Sequence, residues 1–118
     1  MKIFLDTANI AAIKLYNDMG LVDGITTNPS LLAKEGGDPQ KTMEEIVRIV
    51  KGDVSLEVVA TDTAGMIEEG RRLRKHGKNV VIKCPMTPDG LKACRILHLR
   101  YSKNGEKSLG GIMRIHLK

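Results

Sequence analysis

Four short apolar runs alternate with helix-patterned stretches between residues 2 and 97, and few folds accept that order. The runs are residues 2–5, 21–26, 54–59 and 79–83. Their β-branched members, Val80, Val81 and Ile82 above all, suit a buried pleated surface. Between the runs, Ile10, Ile13 and Tyr16 recur at helical spacing ahead of Gly20. Asn28 before Pro29 predicts a capped short helix, followed by a loop over 34–38. Met43, Ile46, Val47 and Val50 form an i, i+3, i+4, i+7 stripe, with Gly52 expected to close the helix. Met66, Ile67, Gly70 and Leu73 mark a further helix, with Gly77 expected as its terminal glycine. Thr87 and Pro88 open the last one, which contains Leu91, Cys94 and Ile96. Such alternation predicts an α/β fold of parallel βα units with right-handed crossovers. Two architectures fit: a four-stranded doubly wound sheet, or the N-terminal half of a TIM (βα)8 barrel with about four βα units.

The chain of 118 residues is long enough for one small domain with a core. Residues 1–97 hold 14 Lys and Arg against 13 Asp and Glu, whereas residues 98–118 hold five against one. The basic excess therefore sits in the tail, which argues against a nucleic-acid-binding body. The cluster Arg71, Arg72, Arg74, Lys75 and His76 reads as a solvated face whose cations favour a helix C-terminus. No uncharged run is long enough to span a bilayer. Two cysteines, Cys84 and Cys94, make no disulfide framework, so the cytoplasm is the expected compartment. His76, His98 and His116 are scattered, and no metal site is expected.

Parallel α/β folds carry their chemistry at the C-terminal ends of strands. The run 79–83 ends in Lys83 before Cys84 and Pro85. An amine between apolar walls loses hydration, and a neutral amine can attack a carbonyl to form a Schiff base. The first two runs offer Asp6 and Asn28 at their ends, and the third offers Glu57 within its apolar stretch, where a carboxylate is costly unless partnered. Each has a plain structural account as well. Asp6 and Asn28 are candidate helix caps, Glu57 a partner for a buried cation, and Lys83 a lysine whose stem packs while its head reaches water. Convergence of the four would make a Schiff-base site with acid–base partners.

Three motifs carry a resemblance. They are Phe4, Leu5, Asp6, Thr7, Ala8 and Asn9; Gly24, Ile25, Thr26, Thr27, Asn28, Pro29 and Ser30; and Val81 through Leu91, with Lys83, Cys84, Pro85, Met86, Thr87 and Pro88 at its centre. Together they resemble the transaldolase family, in the small-subunit branch that also holds the fructose-6-phosphate aldolases. The resemblance covers residues 1 to about 97 and implies a (βα)8 barrel, commonly assembled into homo-oligomeric rings. It implies catalytic roles for Lys83 as the Schiff-base nucleophile, Asp6 as the acid–base and Glu57 as a carboxylate working through a water. Asn28, with Thr26 of the same motif, is implied to bind substrate. The reaction implied is transfer of a dihydroxyacetone unit from fructose 6-phosphate to erythrose 4-phosphate in the pentose phosphate pathway. No cofactor is implied, because the protonated imine is the electron sink. Glu57 stands where aldolase members carry Gln, and a carboxylate can shuttle protons to a water where an amide cannot.

The resemblance stops after four units. Residues 98–118 form a divergent basic tail, with a strand fragment expected at 98–101, a turn at 102–105 and a strand at 110–117. A truncated or frame-shifted reading is the expectation there. Four barrel strands alone would leave open edges, so a non-catalytic half barrel that self-associates is the alternative, with aldolase-like cleavage as a second.

Overall fold

A computed structural model describes residues 1–102. Its elements are β1 (Phe4–Asp6), α1 (Ile10–Asp18), β2 (Gly24–Thr26), α2 (Pro29–Glu35), α3 (Pro39–Ile49), β3 (Asp53–Glu57), α4 (Thr63–Arg74), β4 (Val80–Lys83) and α5 (Pro88–Ser102). The strands form one sheet in the order β1-β2-β3-β4. Four parallel strands with alternating helices give the element order expected of half a (βα)8 barrel. Among the described residues, no helix is long and apolar enough to cross a membrane.

Two compact units divide the described chain. The first comprises residues 1–56 and 76–80. Its ladders pair Leu5 with Ile25 and Ile25 with Val54, all in parallel register. The Val54 amide extends the pattern by donating to the Asn79 carbonyl at 2.8 Å. Helix α3 is the amphipathic element: Met43, Ile46 and Val47 are buried, and both α1 and α2 pack on it. Asn9, Asn28 and Asp38 each cap a helix start by accepting a backbone N–H. The end of α1 is closed by a Schellman motif. Gly20, at φ +71°, donates to the Asn17 carbonyl, and Leu21 donates to that of Tyr16. The Leu21 amide thus belongs to the helix end, and β2 begins at Gly24 and not at residue 21.

Two other expectations need correction. Gly52 does not end α3; Val50 does, by turning extended at ψ 125°. Gly52 is needed for close approach instead, since a Cβ there would lie 1.7 Å from the Asp23 carbonyl oxygen. The turn is tied by the Asn79 side-chain amide, which donates to the carbonyls of Val47, Val50 and Gly52 at 3.2, 2.8 and 3.1 Å. Gly77 likewise lacks a positive φ and is crowded by Val47, while Lys75 caps α4.

The second unit comprises residues 57–75 and the described residues from 81 onward. Helices α4 and α5 pack against each other. Met66, Leu73, Ile82, Ala93 and Leu97 are among its buried side chains. Gly70 lets α4 approach, because a Cβ there would stand 3.0 Å from Leu97 and 3.3 Å from Ile82. Asp62 caps α4, and the Thr63 hydroxyl donates to the Asp89 carboxylate at the start of α5. The strand expected at 98–101 is helix: α5 runs on to Ser102. No Gly or Pro lies between Gly90 and Gly105, so nothing local stops it at Leu97. The turn expected from 102 and the strand expected at 110–117 fall outside the described residues, apart from Ser102.

Candidate active site

The last residues of the four strands are Asp6, Thr26, Glu57 and Lys83. Strand register, a non-local property, decides which of these meet. In β1–β2 the register sets Asp6 opposite Thr26. The Thr26 hydroxyl donates to Asp6 Oδ1 at 2.8 Å, so one carboxylate oxygen is fixed in direction. Asp6 is exposed and Thr26 is buried. Asp6 is not a helix cap, since Asn9 takes that role for α1. Asn28 follows two residues after β2, and its Oδ1 accepts from Leu31 N–H at 2.9 Å, which is the capping role.

In the second unit, the Val58 amide donates to the Lys83 carbonyl at 3.1 Å, which brings the final residues of β3 and β4 side by side. Lys83 Nζ then lies 3.0 Å from Glu57 Oε2. The Lys83 side chain is 4% exposed and that of Glu57 is 22% exposed. The lysine head therefore does not reach water. It is the buried cation that Glu57 partners. A buried ammonium needs such a partner, because desolvation without one is prohibitive.

Cys84 follows Lys83 and is buried. Its thiol is pushed up to about 11, by burial first and then by the charges of Cys94, Glu57 and Glu69. Compared with an ordinary thiol at 9.0, its thiolate population at pH 8 is smaller by about 100-fold. Iodoacetamide is therefore expected to label Cys84 very slowly at pH 8, with a rate still rising at pH 9.5. Mass spectrometry of a Cys94→Ser variant measures this; a rate that levels off below pH 9.5 would contradict it.

Glu69 was not singled out by sequence. Its carboxylate accepts from the Val59 amide through both oxygens, at 3.0 Å each, and from the Ala60 amide at 2.9 Å. A signal existed: Glu69 lies three residues after Met66 and four before Leu73, on the inward stripe of α4. The structure thus brings Lys83 together with Glu57, and Asp6 together with Thr26. The Asn28 side-chain oxygen is engaged in its own cap.

The sequence model of the Transaldolase/Fructose-6-phosphate aldolase family matches residues 3–101. The chain belongs to this family. A protein of Nitrosopumilus maritimus named "Probable transaldolase" is 70% identical over 97 residues, which are 82% of this chain and 44% of that protein. A "Probable transaldolase" of Methanococcus vannielii is 56% identical over 108 residues, covering 92% and 48%. One from Clostridium acetobutylicum is 56% identical over 97 residues, covering 82% and 45%. The chain spans about half the length of the curated relatives it matches. The transaldolase/aldolase family match takes in all four strands and both polar pairs, and it runs past Leu97 into the last turn of α5.

Proposed function

We propose that this chain carries Schiff-base transaldolase chemistry, with Lys83 as the nucleophile. The observation that supports this most is an amine almost wholly buried at the end of β4 and held 3.0 Å from a carboxylate. A lysine placed only for solubility would keep its head in water. In the proposed reaction, Lys83 first gives a proton to Glu57, and its neutral nitrogen then bonds to C2 of fructose 6-phosphate. The carbonyl oxygen leaves as water, with protons passed through Glu57 and a water. Asp6 then takes the C4 hydroxyl proton, the C3–C4 bond breaks, and its electrons move into the protonated imine to leave an enamine on Lys83. The hydrogen bond from Thr26 turns one Asp6 oxygen inward to its neighbour and leaves the other for that proton. Addition of the enamine to erythrose 4-phosphate and hydrolysis complete the transfer. The name shared by the relatives favours transfer over simple cleavage, as does a carboxylate at position 57.

We further place the reaction in the pentose phosphate pathway and the protein in the cytoplasm, where free thiols such as Cys84 and Cys94 persist. Leu15, Tyr16, Met19 and Leu21 are exposed around the end of α1, which supports a homo-oligomer. The test is reduction with borohydride in the presence of fructose 6-phosphate, followed by peptide mapping. A three-carbon adduct on Lys83 is expected. Absence of any adduct, with a dimer or larger species on sizing, would favour the non-catalytic half barrel. Release of the aldose phosphate at the same rate with and without acceptor would favour aldolase-like cleavage.

A further inference from the structure

The backbone beyond β3 has left the sheet ladder, yet four successive residues are held. Glu57 bonds Lys83 Nζ through its side chain, and Val58 bonds the Lys83 carbonyl through its amide. The amides of Val59 and Ala60 both donate to Glu69. Val59 has 66% of its surface exposed, so no side-chain packing accounts for its fixed position. An ionised carboxylate receiving two backbone amides makes charge-assisted bonds, roughly twice as strong as neutral ones. It reaches them from the rigid interior of a 12-residue helix.

We propose that Glu69 is a positioning residue for the Lys83–Glu57 pair, clamping the Val59 and Ala60 amides so that the Glu57 carboxylate stays on Lys83 Nζ. Glu69 touches neither Nζ nor substrate in this scheme; it acts through the backbone, two residues downstream of Glu57. Without the clamp, residues 58–60 exchange their bonds for water, and the strand end that aims Glu57 frays. The idea deepens the Schiff-base reading and rests on it for the step affected. It does not rest on it for the geometry. A second, electrostatic consequence follows. Glu69 and Glu57 are both close enough to raise the Cys84 thiol, so the charge of Glu69 is felt inside the site.

The experiment uses the full chain as wild type, Glu69→Ala, Glu69→Gln and, as a control, Glu68→Ala at the exposed neighbour. Each is acetylated with a succinimidyl ester from pH 6 to 9.5, and labelling of Lys83 relative to exposed Lys14 is read by mass spectrometry. Each is also reduced with borohydride in the presence of fructose 6-phosphate. Glu69→Ala is expected to raise the labelling of Lys83 relative to Lys14 across the pH series, because an amine released from Glu57 is easier to reach, and to slow adduct formation at least about tenfold. Glu69→Gln keeps an acceptor oxygen and is expected to fall between Ala and wild type. Glu68→Ala is expected to match wild type. A Glu69→Ala chain that melts earlier but keeps the wild-type labelling profile overturns the proposal, because a purely structural anchor would do that. If Glu69→Ala does not fold, the Glu69→Gln profile decides in the same way. If even wild type traps no adduct, the transaldolase reading fails, while the labelling profiles still judge Glu69.

Discussion

Glu57→Leu is expected to destabilise the chain by about 3–5 kcal/mol, whereas Lys83→Met is expected to cost far less. The asymmetry comes from which partner is left behind. Removing Glu57 strands an ammonium that is only 4% exposed, too little for solvent to stand in for the carboxylate. Removing Lys83 strands a carboxylate that is 22% exposed and can turn toward solvent. Methionine also fills the volume of the lysine stem, which is buried. The double variant is expected to recover most of the loss, since an apolar replacement of a buried pair is often neutral or better. Urea unfolding of the four chains, with midpoints compared at constant slope, measures this. Equal losses in the two single variants would mean that the lysine reaches water. Lys83→Met is also expected to abolish the borohydride adduct outright, so stability and chemistry part company at one residue.

Gly52→Ala is expected to cost at least about 4 kcal/mol or to prevent folding, far more than a glycine substitution at a typical turn. The added methyl would stand 1.7 Å from the Asp23 carbonyl oxygen, which is backbone and cannot rotate away. Asp23 is itself fixed, with its amide donating to the Ile3 carbonyl and its carboxylate receiving the Ile3 amide. Relief therefore requires β1, β2 and the α3–β3 turn to shift together. Gly20→Ala supplies the contrast. Gly20 has positive φ but nothing within 4 Å, so only the left-handed backbone penalty of about 1–2 kcal/mol applies. Thermal or urea denaturation of the two variants separates crowding from dihedral strain; similar losses would show that the close approach is relieved locally.

The parts of this structure legible in sequence are those with local causes. Helix α3 was readable because its buried face repeats in 3.6 residues, and α2 because Asn28 and Pro29 are start signals wherever they fall. Lys83 was readable as a strand end because a β-branched run stops there. The ends of α3 and α4 are not legible locally, because a glycine after a helix suggests a left-handed cap where packing in fact demands the missing Cβ. Gly52 and Gly77 are both of that kind. The continuation of α5 past Leu97 follows from the lack of Gly or Pro there, which the change in composition at the same point obscures. The pairing of Thr26 with Asp6 and of Glu57 with Lys83 depends on strand register, which no single segment encodes. Glu69 depends on where α4 lies against the end of β3, and only its place on the buried stripe hinted at it.

Register has one more consequence, for tolerance to insertion and deletion. Because each strand ends on a polar residue, a one-residue slip in β4 would present Ile82 or Cys84 to Glu57 in place of the amine. Single-residue indels within the strands are thus silent nowhere. The segment at Gly36 and Gly37, both with positive φ and open space around them, can absorb length changes without disturbing any ladder. An inserted residue is therefore expected to be tolerated there, between α2 and α3, better than beside the strand ends.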